Sequence, residues 1–268
     1  MALPLLAGSG LESAAPELVV LLVVTGLAAG FVDAVVGGGG LLQLPVTLMI
    51  PGLSPVQALA TNKMGSVFGT ATSALTFYRR VRPDLRTALP MAAVAFLAAG
   101  LGAALAAALP AAVFKPVIVL ALVAVLLFTV LKPSMGRATA LRHAGSRHYA
   151  LAVALGAVIG CYDGVMGPGT GSFLVIGLVS LLGYSFLAAS AKAKIVNLAT
   201  NLGALVVFTA HGSVLWGLGL VLGLSNMAGG YLGARTAVAR GSSFIRAVFF
   251  VVVAVLIVKL GWDVLAGR

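Results

Sequence analysis

Apolar runs divided by short Pro/Gly-punctuated or basic turns organise this chain. Runs at 18–34, 88–109, 113–131, 214–234 and 247–260 sit at or near the roughly 20 residues that carry a helix across a roughly 30 Å hydrocarbon core. Reading runs and punctuation together predicts about five segments per half. In the first half they cover 18–36, 41–50, 56–78, 88–109 and 113–131; in the second, 149–166, 171–183, 188–208, 214–234 and 245–262. Segment 41–50 is too short to span as a straight helix, and 171–183 is marginal. Such pieces fit broken or re-entrant helices, tolerated at membrane depth only where protein or a watery cavity satisfies the backbone. The expected fold is an all-α polytopic membrane protein. Its parts are a tail at 1–17, a first repeat at 18–131, a cytoplasmic basic linker at 132–148, a second repeat at 149–262 and a tail at 263–268.

Composition agrees with the pattern. Of 268 residues, 61% are hydrophobic and 9% charged, against about 25% charged in a soluble domain; the mean hydropathy is +1.14. A net charge of +11 raises nucleic acid as a partner, but the placement of the charges excludes it. Arg79, Arg80, Arg82 and Arg86 share one short loop, Lys132, Arg137, Arg142 and Arg147 a second, and Arg235, Arg240 and Arg246 lie in or beside a third. Short basic loops between apolar segments are what the positive-inside bias produces. The N-terminal stretch has no basic region of the kind that opens a cleaved signal peptide. Cys161 is the single cysteine, and His143, His148 and His211 have no metal-ligand spacing, so no metal or cofactor is expected.

The polar interruptions repeat. "GFVDAVVGGGGLLQLP" begins at Gly30, and "GCYDGVMGPGTGSFLV" begins at Gly160. Gly30, Asp33, Gly37 and Gly39 fall on Gly160, Asp163, Gly167 and Gly169. At an offset of 131, Lys63 falls on Lys194, Ala60 on Ala191 and Phe77 on Phe208, and further on Gly102-Ala103 falls on Gly233-Ala234. The basic loops are exchanged between the halves: the arginine cluster follows the third segment in the first half and the fourth in the second. That exchange predicts two inverted repeats, with 79–87 and 132–148 cytoplasmic and both termini outside.

The intramembrane polar residues supply candidate chemistry. Lys63 and Lys194 hold equivalent positions, so an inverted fold could bring both ammonium groups to a shared midplane anion site. The glycine breaks would add free backbone N–H groups and positive half-helix ends, at Gly38, Gly39, Gly169 and Thr170. Thr61, Asn62, Asn197 and Asn201 are further candidates for orienting a substrate. Asp33 and Asp163 are candidates for carrying a proton, with pairing to the lysines as the structural alternative. Other readings stay open: glycines as close-packing contacts, Lys63 as a snorkelling or lipid-binding residue, asparagines as links between helices, and Lys192 as a structural or interfacial residue.

Four stretches carry a family resemblance: "GFVDAVVGGGGLLQLPVTL", "GLSPVQALATNKMGSVFGTATSALTFYRR", "GCYDGVMGPGTGSFLV" and "SAKAKIVNLATNLGALVVF". Across nearly the whole chain the sequence resembles the sulfite exporter TauE/SafE family. The resemblance implies an integral membrane transporter with a duplicated helical domain, associated where substrates are assigned with sulfite, organosulfonates or thiosulfate. The family's "ATNK" falls on Ala60–Lys63, and its second-half pattern on Ala193, Lys194 and Asn197. The expected function is secondary transport of a small anion by alternating access, proton-coupled, in a bacterial inner membrane. The implied partners are the anion, membrane lipid and protons, in a monomer or homodimer. An anion channel, a membrane-embedded enzyme and a structural protein are the alternatives. The enzyme lacks a catalytic histidine, metal set or cysteine pair in the segments, and a structural role leaves the paired lysines unexplained.

Overall fold

The computed structural model describes residues 16–106, 136 and 138–265. The expected segment at 113–131, with Lys132 and Arg137 of the linker, lies outside the described residues. The described chain is helical throughout, in the order α1 (Pro16–Val36), α2 (Gly39–Leu48), α3 (Pro55–Val81), α4 (Leu85–Ala106), α5 (Gly145–Val165), α6 (Thr170–Gly177), α7 (Phe186–Ala210) and α8 (Trp216–Leu265). A π-helical turn, Leu178–Leu182, extends α6. Gly241, with φ 72° and ψ −167°, breaks α8 into arms at 216–240 and 242–265. The expected segments 214–234 and 245–262 fall one on each arm.

Among the described helices, α1, α4, α5 and α7 are each long and apolar enough to cross a membrane. The ten residues of α2 rise only about 15 Å, half a hydrocarbon core. Pro55 opens α3 behind a Ser54–Gln57 capping box, which satisfies two of the orphan N–H groups at that end. Ser185 caps α7 in the same position, accepting from the Ala188 N–H.

Small residues set how the helices meet. On α1 and the first arm of α8, a Cβ on Gly26 would lie 3.0 Å from the Leu222 carbonyl oxygen, and one on Gly30 only 2.2 Å from that of Asn226. The pair α5 and α4 repeats this 130–131 residues away: a Cβ on Gly156 would lie 2.7 Å from the Met91 carbonyl oxygen, and one on Gly160 2.6 Å from that of Ala95. Gly233 against Phe31 and Gly102 against Cys161 form a third matching couple. Backbones this close maximise dispersion contact where lipid gives no hydrophobic drive. Numbering ascends together along each interface, so each pair runs parallel. The couples Met64–Gly219 and Phe68–Gly223 likewise set α3 parallel to the first arm of α8.

Two further contacts fix α3 against α7. Lys192, near the start of α7, reaches Asp84, just past the end of α3. Thr61, near the start of α3, meets Leu215, just past the end of α7. These helices therefore run antiparallel. Lys63 and Lys194 ride on this central pair.

Candidate functional site

Each glycine-rich stretch ends one helix and starts another. α1 closes with the Gly37 N–H donating to the Asp33 carbonyl at 2.7 Å. Gly37 then takes φ +83° and α2 begins at Gly39. α5 stops at Val165, Gly167 and Gly169 take φ +86° and +83°, and α6 begins at Thr170. Side chains rarely tolerate these left-handed conformations, so glycine is what permits both breaks. The two breaks abut: a Cβ on Gly37 would lie 2.2 Å from the Gly171 carbonyl carbon. The Ser172 hydroxyl donates to the Val36 carbonyl at 2.8 Å, and its N–H to that of Gly37 at 3.2 Å.

The four charged side chains sit around this junction and pair across the halves. Lys63 Nζ on α3 lies 2.6 Å from Asp163 Oδ1 on α5. Lys194 Nζ on α7 lies 3.0 Å from Asp33 Oδ2 on α1 and also donates to the Asp33 carbonyl. Thr170 Oγ1 donates to Asp163 Oδ1 at 2.5 Å. Both lysines, and Asp163, are essentially inaccessible. Charges buried this deeply persist only when paired and hydrogen-bonded. Asn62 Oδ1 and Asp163 Oδ2 are nevertheless buried without a protein donor.

These groups enclose a small polar cavity of about 20 Å³, room for about one water. Asp33, Asn62, Lys63, Asp163, Thr170, Asn197 and Asn201 line it, as do Gly169 and Ser66, joined by Gly37, Gly40, Gly167 and Gly171. Lys194 reaches it through its partner Asp33. Lys194 itself and three other candidates lie outside the lining. Thr61 Oγ1 accepts the Leu215 N–H at 3.3 Å. Gly39 packs against the Ala29 carbonyl and Asp33 Cβ, and Gly38 precedes α2 as its cap residue. Ser66, Gly40 and Gly171 were not singled out as site residues. Their signal is register: Ser66 matches Asn197, and Gly40 matches Gly171, at the 131-residue offset.

Lys192 belongs to a second polar cluster. Its Nζ donates to the Asp84 carbonyl at 2.7 Å, lies 3.6 Å from Asp84 Oδ2 and stands 4.7 Å over the Tyr184 ring. Thr87 Oγ1 donates to Asp84 Oδ2 at 2.7 Å and lies 3.3 Å from His148 Nε2, which is 2.9 Å from the Tyr184 hydroxyl. Burial would raise the Asp84 carboxyl, but the Thr87 hydroxyl, the Arg86 N–H and the Lys192 ammonium together hold it below the ordinary aspartate value. Burial pushes the Tyr184 phenol up. A third polar pair joins Asn226 Nδ2 on α8 to Gln43 Oε1 on α2 at 2.6 Å. Among the described residues, no group of three or more His, Cys, Asp or Glu could hold a metal ion.

A bundle of membrane-length helices, with two helix breaks and two buried lysine–aspartate pairs meeting at one polar cavity, has the construction of a multi-pass membrane transporter. The sulfite exporter TauE/SafE family model matches residues 22–260, and the chain belongs to that family. It is similar to "Probable membrane transporter protein ORF9" of Sinorhizobium sp., 38% identical over 93% of this chain and 95% of that protein. It is 34% identical to "Probable membrane transporter protein YfcA" of Escherichia coli strain K12, over 92% and 91% of the two chains. A "Probable membrane transporter protein" of Haemophilus influenzae is 32% identical over 92% and 96%. No solved structure matches the chain.

Proposed function

We propose that this chain is a proton-coupled secondary transporter of a small anion, a sulfur oxyanion or organosulfonate, acting by alternating access in the bacterial inner membrane. The observation that carries the reading is the crossed pairing of Lys63 with Asp163 and Lys194 with Asp33 around one cavity. Each lysine comes from one half and its aspartate from the other. Two ammonium groups held by internal carboxylates form an anion site in its closed state. A substrate anion takes the place of the carboxylates, and each displaced carboxylate becomes a proton acceptor in a poorly solvated setting. Asp163 Oδ2, buried without a protein donor, is the acceptor best placed to take that proton. Asn62 and Asn197 orient the anion's oxygens, and the amides of the glycine breaks add donors without side chains in the way.

Closure supports a carrier over a pore. A cavity of about 20 Å³ is smaller than a four-heavy-atom oxyanion, so the halves separate before substrate enters. Helices at matching register run in opposite directions, which supports an inverted-repeat exchange between inward-facing and outward-facing states. Proton coupling makes uptake possible against a cytoplasm-negative potential, which opposes anion entry by about 2.3 kcal/mol per charge per 100 mV. The family's description as sulfite exporters supports sulfite-like anions as the first substrates to test.

The test is counterflow: accumulation of labelled sulfite and a small organosulfonate in proteoliposomes preloaded with the same unlabelled anion. Transient accumulation by the wild type and its loss in Lys63→Ala and Lys194→Ala are expected. Retained accumulation in both variants would overturn the site.

A further inference from the structure

The two lysine-bearing helices are each clamped to the opposite half, and the clamps occupy matching positions. Thr61 stands two residues before Lys63, and Lys192 two residues before Lys194; Leu215 lies 131 residues beyond Asp84. Thr61 Oγ1 on α3 accepts the N–H of Leu215, which opens α8. Lys192 Nζ on α7 donates to the carbonyl of Asp84, which opens α4. The same backbone junction is therefore tied twice, once at each end of the antiparallel α3–α7 pair.

The chemistry of the ties differs. The Thr61 tie is one neutral hydrogen bond of 3.3 Å. The Lys192 tie is charge-assisted, at 2.7 Å to the carbonyl and 3.6 Å to the carboxylate, and the Tyr184 ring lies beneath the ammonium. Thr87 and His148 then fasten Asp84 and Tyr184 to each other and to α5. Charged hydrogen bonds are worth roughly twice neutral ones.

Resting on the transporter reading, we infer that Lys192 and Asp84 are the gate residues of one access route, the ionic counterpart of a weaker Thr61–Leu215 gate on the other. Each tie joins elements of opposite halves, so moving the halves apart at that end must break it. The ionic gate stands beside the arginine-rich turn of Arg79, Arg80, Arg82 and Arg86. It holds that end closed more firmly and sets which way the protein faces at rest. Lys192 is a positioning residue for transport, not a ligand of the anion.

Hydrogen exchange on the purified, anion-free protein tests this without any substrate. Peptides covering 84–88 and 213–217 report local opening at the two ends. In the wild type, raising salt toward 1 M is expected to speed exchange at 84–88 and leave 213–217 unchanged. Lys192→Met is expected to speed exchange at 84–88 by about tenfold, and Lys192→Arg to restore it to within about twofold of wild type. Thr61→Val is expected to change 213–217 by less than about threefold. Equal salt response at both ends, or no effect of Lys192→Met at 84–88, would overturn the gate. Exchange behaving as expected while no anion moves in counterflow would support the gate and sink the anion-transport reading alone.

Discussion

The interface of α1 with α8 and that of α5 with α4 share one backbone design and differ in side-chain chemistry. Gly30 meets the Asn226 carbonyl as Gly160 meets that of Ala95. Yet Asn226 sends its amide to Gln43, beside Gly65 and Gly69 of α3; a Cβ on Gly69 would fall almost on Asn226 Oδ1. The matching positions in the other half are Ala95, Leu174, Val196 and Thr200, which hold no such amide pair. The same division separates the Lys192–Asp84 tie from the Thr61–Leu215 tie. Packing follows the 130–131-residue register closely, whereas the polar contacts differ from one half to the other. On the proposed alternating-access mechanism, the first serves interchange of the two halves and the second a preferred state.

The largest expected effect compares the two buried ion pairs. Removing one partner leaves an uncompensated buried charge, worth about 3–5 kcal/mol. Lys194 keeps the Asp33 carbonyl when the Asp33 carboxylate is removed, whereas Lys63 bonds the Asp163 carboxylate itself. Asp163→Ala should therefore destabilise more than Asp33→Ala, with Asp163→Ala/Lys63→Ala recovering part of the loss. Midpoints of unfolding for the four proteins decide it, and equal losses for the two aspartates would remove the distinction.

The next effect probes the shared backbone design. Gly30→Ala places a methyl 2.2 Å from a carbonyl oxygen and Gly160→Ala one 2.6 Å away. Overpacking of this kind costs about 1–3 kcal/mol, and Gly30→Ala should cost more. Thermal unfolding of the two variants checks the order.

Much of this was legible in the sequence, for physical reasons. Helix breaks announce themselves because glycine at a left-handed φ has few substitutes, and Gly37 and Gly167 recur at a 130-residue spacing. Lysine in an apolar helix is conspicuous because it is costly, so Lys63 and Lys194 stood out. Which aspartate serves which lysine did not, since the crossed pairing depends on how the halves face each other. Asn226 was read as part of an apolar run, because one amide barely alters hydropathy and its partner Gln43 is 183 residues away. The cluster of Asp84, Thr87, His148, Tyr184 and Lys192 joins four separate stretches, and no local period marks it. The expected segments 149–166 and 188–208 fall on α5 and α7 to within four residues at each end, because apolar length and punctuation are local properties.

A smaller effect tests the specialised amide pair. Asn226→Ala removes the donor to Gln43 Oε1 and leaves a buried carbonyl unpaired, at about 1–3 kcal/mol. Asn226→Ala/Gln43→Leu removes both polar groups and should recover most of it. Ala95→Asn, the mirror substitution, has no amide waiting for it and should only destabilise. Recovery in the double variant, read from unfolding midpoints, separates a matched pair from a mere packing site.

The smallest effect concerns pH at the ionic tie. The Asp84 carboxyl is held below the ordinary 3.8 by Thr87, the Arg86 N–H and Lys192, and the residue is about half exposed. A depressed folded value means the contact's contribution is present above the unfolded carboxyl value and is lost as pH falls through the folded one. Solvent screening keeps the contribution modest. The difference in unfolding midpoint between wild type and Asp84→Asn should hold steady from neutral pH down to about 4 and then narrow. Thr61→Val, whose tie carries no titrating group, should keep a constant difference from wild type over the same range. If its difference narrowed in parallel, the acid response would belong to the whole bundle, and the contrast between a charged and a neutral tie would fail at the point where it is easiest to measure.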